Sequence, residues 1–460
     1  MSTMSAMMTR VDGLVAGRTG LVIAAIAVVF AAAYSTSLVV KPKPDGRIVV
    51  GDALHHYVQL RSAVFDRDLH FRNEYVRMYR LTGREPGTEW VYEPTATGYV
   101  RNLMPVGPAL LWAPLFLTIS AVVWCGQFLG WPYPLDGYGR LFQAAAGLSG
   151  IAAAALGVWF SFRAAATVTS RRAAAWGALV IWLASSAVYY SLISPTYSHA
   201  ASLLTTGAWW WYFVRTRTRT DVQRYVVLGA LAGLAALMRW QDTLILAVPL
   251  AEVGLRLRRG MTTGAAAARI LGCLSAAVAA FAPQMIVWQT LYGQPLAIPQ
   301  GGGFMRWGQP ALVPVLFSDW HGLFTWTPVV AVAVAGLSAL RRRDALLLSG
   351  AAVFLALSWY VNAAAADWWA GEAFGARRFV SCVPVFTLAL AALIEQWSPR
   401  PAALVTLGGA AIAHTFLLLV QYQAFMHGLR DVVPYPRGAY NLWLARFEAP
   451  FDLARWWWAR

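Results

Sequence analysis

The chain has 460 residues, 58% of them hydrophobic and only 13% charged, with a mean hydropathy of +0.51. A water-soluble domain carries about a quarter charged residues, so this composition excludes soluble, repeat and fibrous classes and sets much of the surface against lipid. The net charge of +16 is almost all arginine, lysine occurring only at Lys41 and Lys43, and the basic residues sit in short clusters between apolar runs, which excludes nucleic acid as a partner.

In chain order, apolar windows long enough to cross a hydrocarbon core of roughly 30 Å predict spans near 19–40, 141–162, 173–193, 199–214, 226–239, 242–255, 269–291, 323–340, 345–361, 379–396 and 402–424. Arg10 and Arg18 precede the first run, as in a secretory signal, but the many later spans favour an uncleaved first helix. Residues 104–130 are also apolar and are interrupted by Pro105, Pro108 and Pro114. Long polar connections lie at 41–103 and 292–322, with a shorter one at 362–378. The tail 425–460 is amphipathic and ends in Arg455-Trp456-Trp457-Trp458, a mix suited to a membrane interface. Cys125, Cys273 and Cys382 have no metal-ligand spacing and read as small core residues. The expected fold is an all-α polytopic membrane protein of about 11–13 transmembrane helices. Residues 1–424 form one membrane domain, and 425–460 follow as a tail.

Arginine in short loops sets orientation. The clusters Arg163/Arg171/Arg172, Arg215/Arg217/Arg219/Arg224, Arg256/Arg258/Arg259/Arg269 and Arg341/Arg342/Arg343 are expected on the cytoplasmic side. The loops 41–103, 191–198, 240–241, 292–322 and 362–378 then fall outside. Parity requires an odd number of crossings between 104 and 162, so a proline-broken hairpin that enters and returns is expected at 104–130.

The outer face thereby collects the unusual polar residues, and ionisable groups near hydrocarbon tend to mark a site. Asp52, in Gly51-Asp52-Ala53-Leu54-His55-His56-Tyr57, is placed to act as a general base toward a hydroxyl; a lone aspartate there is otherwise a helix-end residue. His55 and His56 fall one helical turn further on, as hydrogen-bond partners, substrate contacts or, with Asp52, ligands of a divalent metal. Arg377 and Arg378, beside glycine and aromatic residues, suit a phosphate clamp. Arg239 and Asp242 occupy the tip of a short helix pair, and Arg101 ends the first loop. Glu372 precedes the arginine pair, and His321 in Ser318-Asp319-Trp320-His321-Gly322 is either a donor to phosphate or sugar or a structural histidine. Trp320, Trp368 and Trp369 are candidates to stack on sugar faces. Gly301-Gly302-Gly303 is a flexible-loop signal without the rest of a phosphate-binding motif.

Several of these features together resemble the C-type glycosyltransferase superfamily, in particular the bacterial protein-mannosyltransferase and aminoarabinose-transferase type. They are the acidic residue after the first span (Gly51-Asp52, then His56-Tyr57) and the large first loop ending in Asn102-Leu103-Met104-Pro105-Val106-Gly107-Pro108. The short helix pair around Leu234-Ala235-Ala236-Leu237-Met238-Arg239-Trp240 and the second large loop complete the likeness. The proline motif is imperfect, and the second acidic residue that relatives often carry is matched by Glu93, by Asp66 or by neither.

The resemblance implies transfer of a sugar from a polyprenyl-phosphate carrier to a glycan, lipid or protein acceptor on the far side of a bacterial inner membrane, with inversion. Asp52 would be the base, Arg239, Arg377 and Arg378 would face the leaving phosphate, and His55, His56, Tyr57, Arg101, Asp242, His321 and Glu372 would contact substrate. No cofactor is expected, a divalent metal at Asp52, His55 and His56 being the alternative left open. The competing classes are a cell-surface glycan polymerase or ligase, which need not carry Asp52, and a polyprenyl-lipid transporter or flippase, which would show repeated halves.

Overall fold

The computed structural model describes residues 3–40 and 47–459, so Lys41, Lys43 and Arg460 lie outside the described residues. Helices make every regular element among the described residues, and strand-like pairing is confined to the isolated bridges Pro94–Val100 and Met305–Ala365. The chain begins with α1 (Thr3–Gly17) and α2 (Thr19–Val40). The first connection holds α3 (Asp52–Arg61) and α4 (Arg72–Tyr79), followed by α5 (Gly107–Phe128) and α6 (Arg140–Ala165). Next come α7 (Arg171–Leu183), α8 (Tyr189–Leu192), α9 (Ser198–Arg215), α10 (Val222–Met238), α11 (Ala247–Arg258) and α12 (Thr263–Tyr292). The last part comprises α13 (Pro314–Phe317), α14 (Leu323–Trp326), α15 (Pro328–Ala335), α16 (Leu337–Arg341), α17 (Ala345–Ala364), α18 (Val383–Trp397), α19 (Pro401–Met426), α20 (Ala439–Trp443) and α21 (Ala445–Trp458).

Among the described residues seven helical segments are long and apolar enough to cross a membrane, eight if the bent pair Arg171–Leu183 and Ser186–Leu192 is one span, so the protein is a multi-pass membrane protein. The count is below the 11–13 expected because several predicted spans are short or broken. Val222–Met238 and Pro328–Arg341 are shorter apolar helices. The predicted span 242–255 is a 3₁₀ turn, Trp240–Leu246, running into α11.

α2 shows why length and composition suffice for the outer helices: it carries no charge and exposes Val28, Val29 and Val39, a surface suited to lipid. Small residues do the equivalent work inside. Gly157 and Gly207 bring α6 and α9 into backbone contact, and a Cβ on Gly157 would lie 2.5 Å from Leu203 O.

Contacts sort the helix ends into two poles. At one, Arg172 pairs with Asp12, Arg343 donates to Val168 O, Arg217 pairs with Asp344, Arg256 donates to Arg217 O and Arg269 donates to Thr220 O. All four predicted arginine clusters therefore share this end. The helices that start there are capped by Ser170, Asp221, Thr262 and Asp344, whose side chains accept from backbone amides of the first turn. At the other pole Gln143 accepts from the amides of Ile48 and Val49, and Thr97 and Tyr292 bond to Leu291 O and Asn102 O. α6 spans the interval; its 26 residues make a rod of about 39 Å.

The hairpin expected at 104–130 is corrected. α5 is one continuous helix, with Pro108 in its first turn where proline is tolerated and only Pro114 inside. The parity it was meant to solve is nevertheless met. The return segment is tied to the first connection, Arg61 donating to Asp136 O and Tyr57 to Gly137 O, and Leu141 at the start of α6 donates to the Tyr133 hydroxyl. α6 thus sets out from the pole at which α5 began. Cys125 is a second correction: it is exposed on α5, while Cys273 and Cys382 are buried as expected.

The first connection is a folded cap. Val49, Leu54, Tyr57, Val58, Phe71, Tyr75 and Val91 form a core with Trp112 and Phe116 of α5 and Phe142 of α6. The tail is also packed, with Leu442 buried against Leu418, Leu419 and Tyr422 and Arg446 buried beside His414, while Trp457 and Trp458 are exposed.

Candidate functional site

Gly51 sets the position of Asp52. It has φ +58°, and a Cβ there would meet the Tyr197 hydroxyl at 2.6 Å, so the turn needs glycine for both its backbone and its space. α3 starts at once, with Asp52 in its first turn and its side chain 37% exposed. Asp52 Oδ2 lies 2.9 Å from Arg377 Nη1, and the Arg377 guanidinium sits 5.6 Å from the centre of the Tyr197 ring. The neighbouring Arg378 pairs with Asp367 at 2.6 Å and also donates to its carbonyl oxygen. Arg239 completes the positive group: it lies within electrostatic range of Arg377, Arg378, Asp242 and Asp52 and donates to Gln241, which in turn donates to Asn362. Residues from α3, the α8–α9 turn, the end of α10 and the start of the 3₁₀ turn Arg377–Cys382 thus converge at the pole opposite the arginine clusters.

A pair of carboxylates thus holds two arginines, with a third arginine in electrostatic range of both. Paired guanidinium forks bind phosphate oxygens, and Asp52 and Asp367 occupy them here.

The remaining predicted residues separate into those at this cluster and those near it. His56 is buried, its Nδ1 2.8 Å from Pro105 O, and burial lowers its pKa to about 4. His55 bonds through Nδ1 to the Tyr75 hydroxyl at 2.8 Å, stacks on Trp90 and is likewise lowered to about 4 by burial, with Asp52 opposing. Asp242 is buried and accepts from Ser202 Oγ. Tyr57 points into the cap core, away from the cluster, and Arg101 is exposed on the cap over Trp90. Glu372 is exposed, and it is its carbonyl oxygen that is engaged, accepting from Tyr422. His321 spends both ring nitrogens on Trp369 O and the Tyr435 hydroxyl, which links three segments of this pole; burial lowers its pKa to about 4. Trp320 is stacked on Trp369 and carries Arg437 at 4.4 Å. Among the described residues no group of three or more His, Cys, Asp or Glu is placed to hold a metal ion.

Tyr197, His199, Asn362 and Asp367 also belong to the cluster; the sequence puts Tyr197, His199 and Asp367 in or beside the outer loops without giving them a role, and leaves Asn362 unnamed. The signal was present for the first two, in the loop tip Ser194-Pro195-Thr196-Tyr197-Ser198-His199. Asn362 is a polar residue at the end of an otherwise apolar helix, a placement that only the fold makes meaningful.

No protein-family model matches the chain, and no curated protein sequence is significantly similar to it.

Proposed function

We propose that the protein is an integral-membrane glycosyltransferase that moves a sugar from a polyprenyl-phosphate carrier to an acceptor hydroxyl on the extracytoplasmic side of a bacterial inner membrane. The observation that carries the proposal is the contact between Asp52, a partly exposed carboxylate, and Arg377, with Arg378 and Arg239 behind. Asp52 takes the proton of the acceptor hydroxyl as its oxygen bonds to the anomeric carbon. The bond from that carbon to the phosphate oxygen breaks on the opposite face, which inverts the centre. The negative charge left on the carrier phosphate is met by Arg377 and Arg378, fixed in advance by Tyr197 and Asp367. The apolar helices nearby suit the polyprenyl chain, and the Arg377–Arg378 pair suits its phosphate.

The test is transfer from labelled polyprenyl-phosphate sugars to membrane acceptors by the purified, reconstituted protein and its Asp52→Asn variant. Loss of transfer with retained donor binding is expected. Undiminished transfer by the variant removes Asp52 from the chemistry.

A further inference from the structure

The Pro105–Gly107 turn sets His56 against the end of α10. Gly107 approaches so closely that a Cβ would lie 2.2 Å from Leu237 O and 2.8 Å from Met238 N, and Arg239 is the next residue. His56 is fully buried and is held to the same turn through Pro105 O. A carbonyl oxygen only accepts, so Nδ1 carries the proton, and the neutral ring presents Nε2 as a bare acceptor. Among the described residues this Nε2 has no hydrogen-bond partner. The same holds for Arg239 Nη1, which can only donate, and for Nδ1 of the buried His199. The three are electrostatic neighbours: His56 lies in range of Arg239, and His199 in range of both.

An acceptor beside a cationic donor discriminates between ligand chemistries. The phosphodiester of a sugar-bearing carrier satisfies Arg239 but has no proton to offer His56. A hydroxyl does both, donating to Nε2 and accepting from Nη1, and a sugar ring supplies several hydroxyls at fixed spacing. We infer that His56, Arg239 and His199 form the subsite for the hydroxyls of the transferred sugar, separate from the phosphate-facing Arg377 and Arg378. The inference rests on the proposed function. It also divides the arginines: Arg239 reads the sugar, and the pair reads the carrier. A donor lacking the matching hydroxyl leaves buried groups unpaired, which makes the subsite selective for one sugar configuration.

The test compares equilibrium binding of two probes in detergent: a short-chain polyprenyl phosphate, and the same lipid bearing each of a panel of hexoses. Asn at position 56 keeps an amide donor for Pro105 O but removes the distal acceptor. His56→Asn is therefore expected to weaken the preferred sugar-bearing lipid about tenfold, the loss of about one hydrogen bond, and to leave the bare lipid phosphate unchanged. Arg239→Lys should show the same selectivity, while Arg377→Gln should weaken both probes. Equal losses on the two probes, or none, from both His56→Asn and Arg239→Lys would show that these groups serve only the fold, and would overturn the subsite alone. Wild-type protein that binds neither probe overturns the proposed function, and the subsite with it.

Discussion

The two poles of the protein are both rich in arginine, yet they use it differently. At the clustered pole the arginines are spread over many loops and answered locally by Asp12, Asp344, Glu252 and backbone carbonyls. Arg341 and Arg342, like most of their kind, remain open to solvent. At the other pole Arg239, Arg377 and Arg378 are drawn together with Asp52, Asp242 and Asp367, and Asp52 lies 325 residues from Arg377 in sequence. The first arrangement is what orientation and helix-end chemistry require. The second is required by neither, and ionisable groups gathered from distant segments into one cluster are the kind of arrangement found at functional sites. A count of arginines cannot separate the two cases; their partners do.

The comparison can be broken at either end. The largest effect on stability is expected at the clustered pole, where Arg224 and Glu252 form a buried pair at 2.9 Å. Glu252→Ala leaves a buried, unmatched guanidinium and should cost about 3–5 kcal/mol, read as thermal unfolding in detergent, while the turnover of the protein that remains folded is unchanged. A loss of turnover without a loss of stability would mean that this pole also takes part in the chemistry. At the site pole the reverse pattern is expected. Arg377→Gln should lower transfer by about 10²–10³-fold with little change in melting temperature, and Lys at that position should restore only part of it, since a point charge cannot reproduce the fork.

Gly107→Ala probes the joint between the cap and the bundle. Its methyl group has only backbone to displace, Leu237 O and Met238 N, so a loss of roughly 1–3 kcal/mol is expected, together with reduced transfer. A neutral result would show that the cap is free to shift. The smallest effect is one of pH. His56 is held neutral by burial, its pKa lowered to about 4 from an ordinary 6.5. The unfolded chain therefore binds a proton that the folded one refuses, and stability contributed by the neutral ring is present above pH 6.5 and lost as pH falls toward 4. His56→Asn removes this titration. The variant should gain on wild type by on the order of 1–2 kcal/mol near pH 5, and parallel melting curves across that range would show that the ring is solvated.

Much of the bundle was legible in the sequence, and the reasons are physical. Long uncharged runs such as 19–40 and 402–424 can only be buried in lipid or protein, and they appear as Thr19–Val40 and Pro401–Met426. Shorter passes blurred because an interior helix such as α10 is supported by neighbours and need not be long. The 104–130 segment misled because three prolines suggest breaks, whereas Pro105 precedes the helix and Pro108 sits in its first turn, leaving only Pro114 within. At the site, Asp52 and His56 were accessible by helical spacing, four residues bringing two side chains to one face. Tyr57, one residue further, turns about 100° more around α3 and enters the core instead. The Asp52–Arg377 contact was out of reach: the sequence could place both groups on one side, but only packed helices could bring them within a hydrogen bond.

The central claim is that the arginine clusters and the Asp52 site face opposite sides of the membrane. In a Cys125→Ser background, which removes the exposed native thiol, single cysteines are introduced by Thr218→Cys beside Arg217 and by Glu372→Cys near Arg377, both exposed positions. Intact cells are then treated with a membrane-impermeant thiol reagent. Labelling at position 372 alone, with 218 reacting only after the membrane is opened, is the result expected. Labelling of both positions in intact cells, or of 218 alone, would contradict the account.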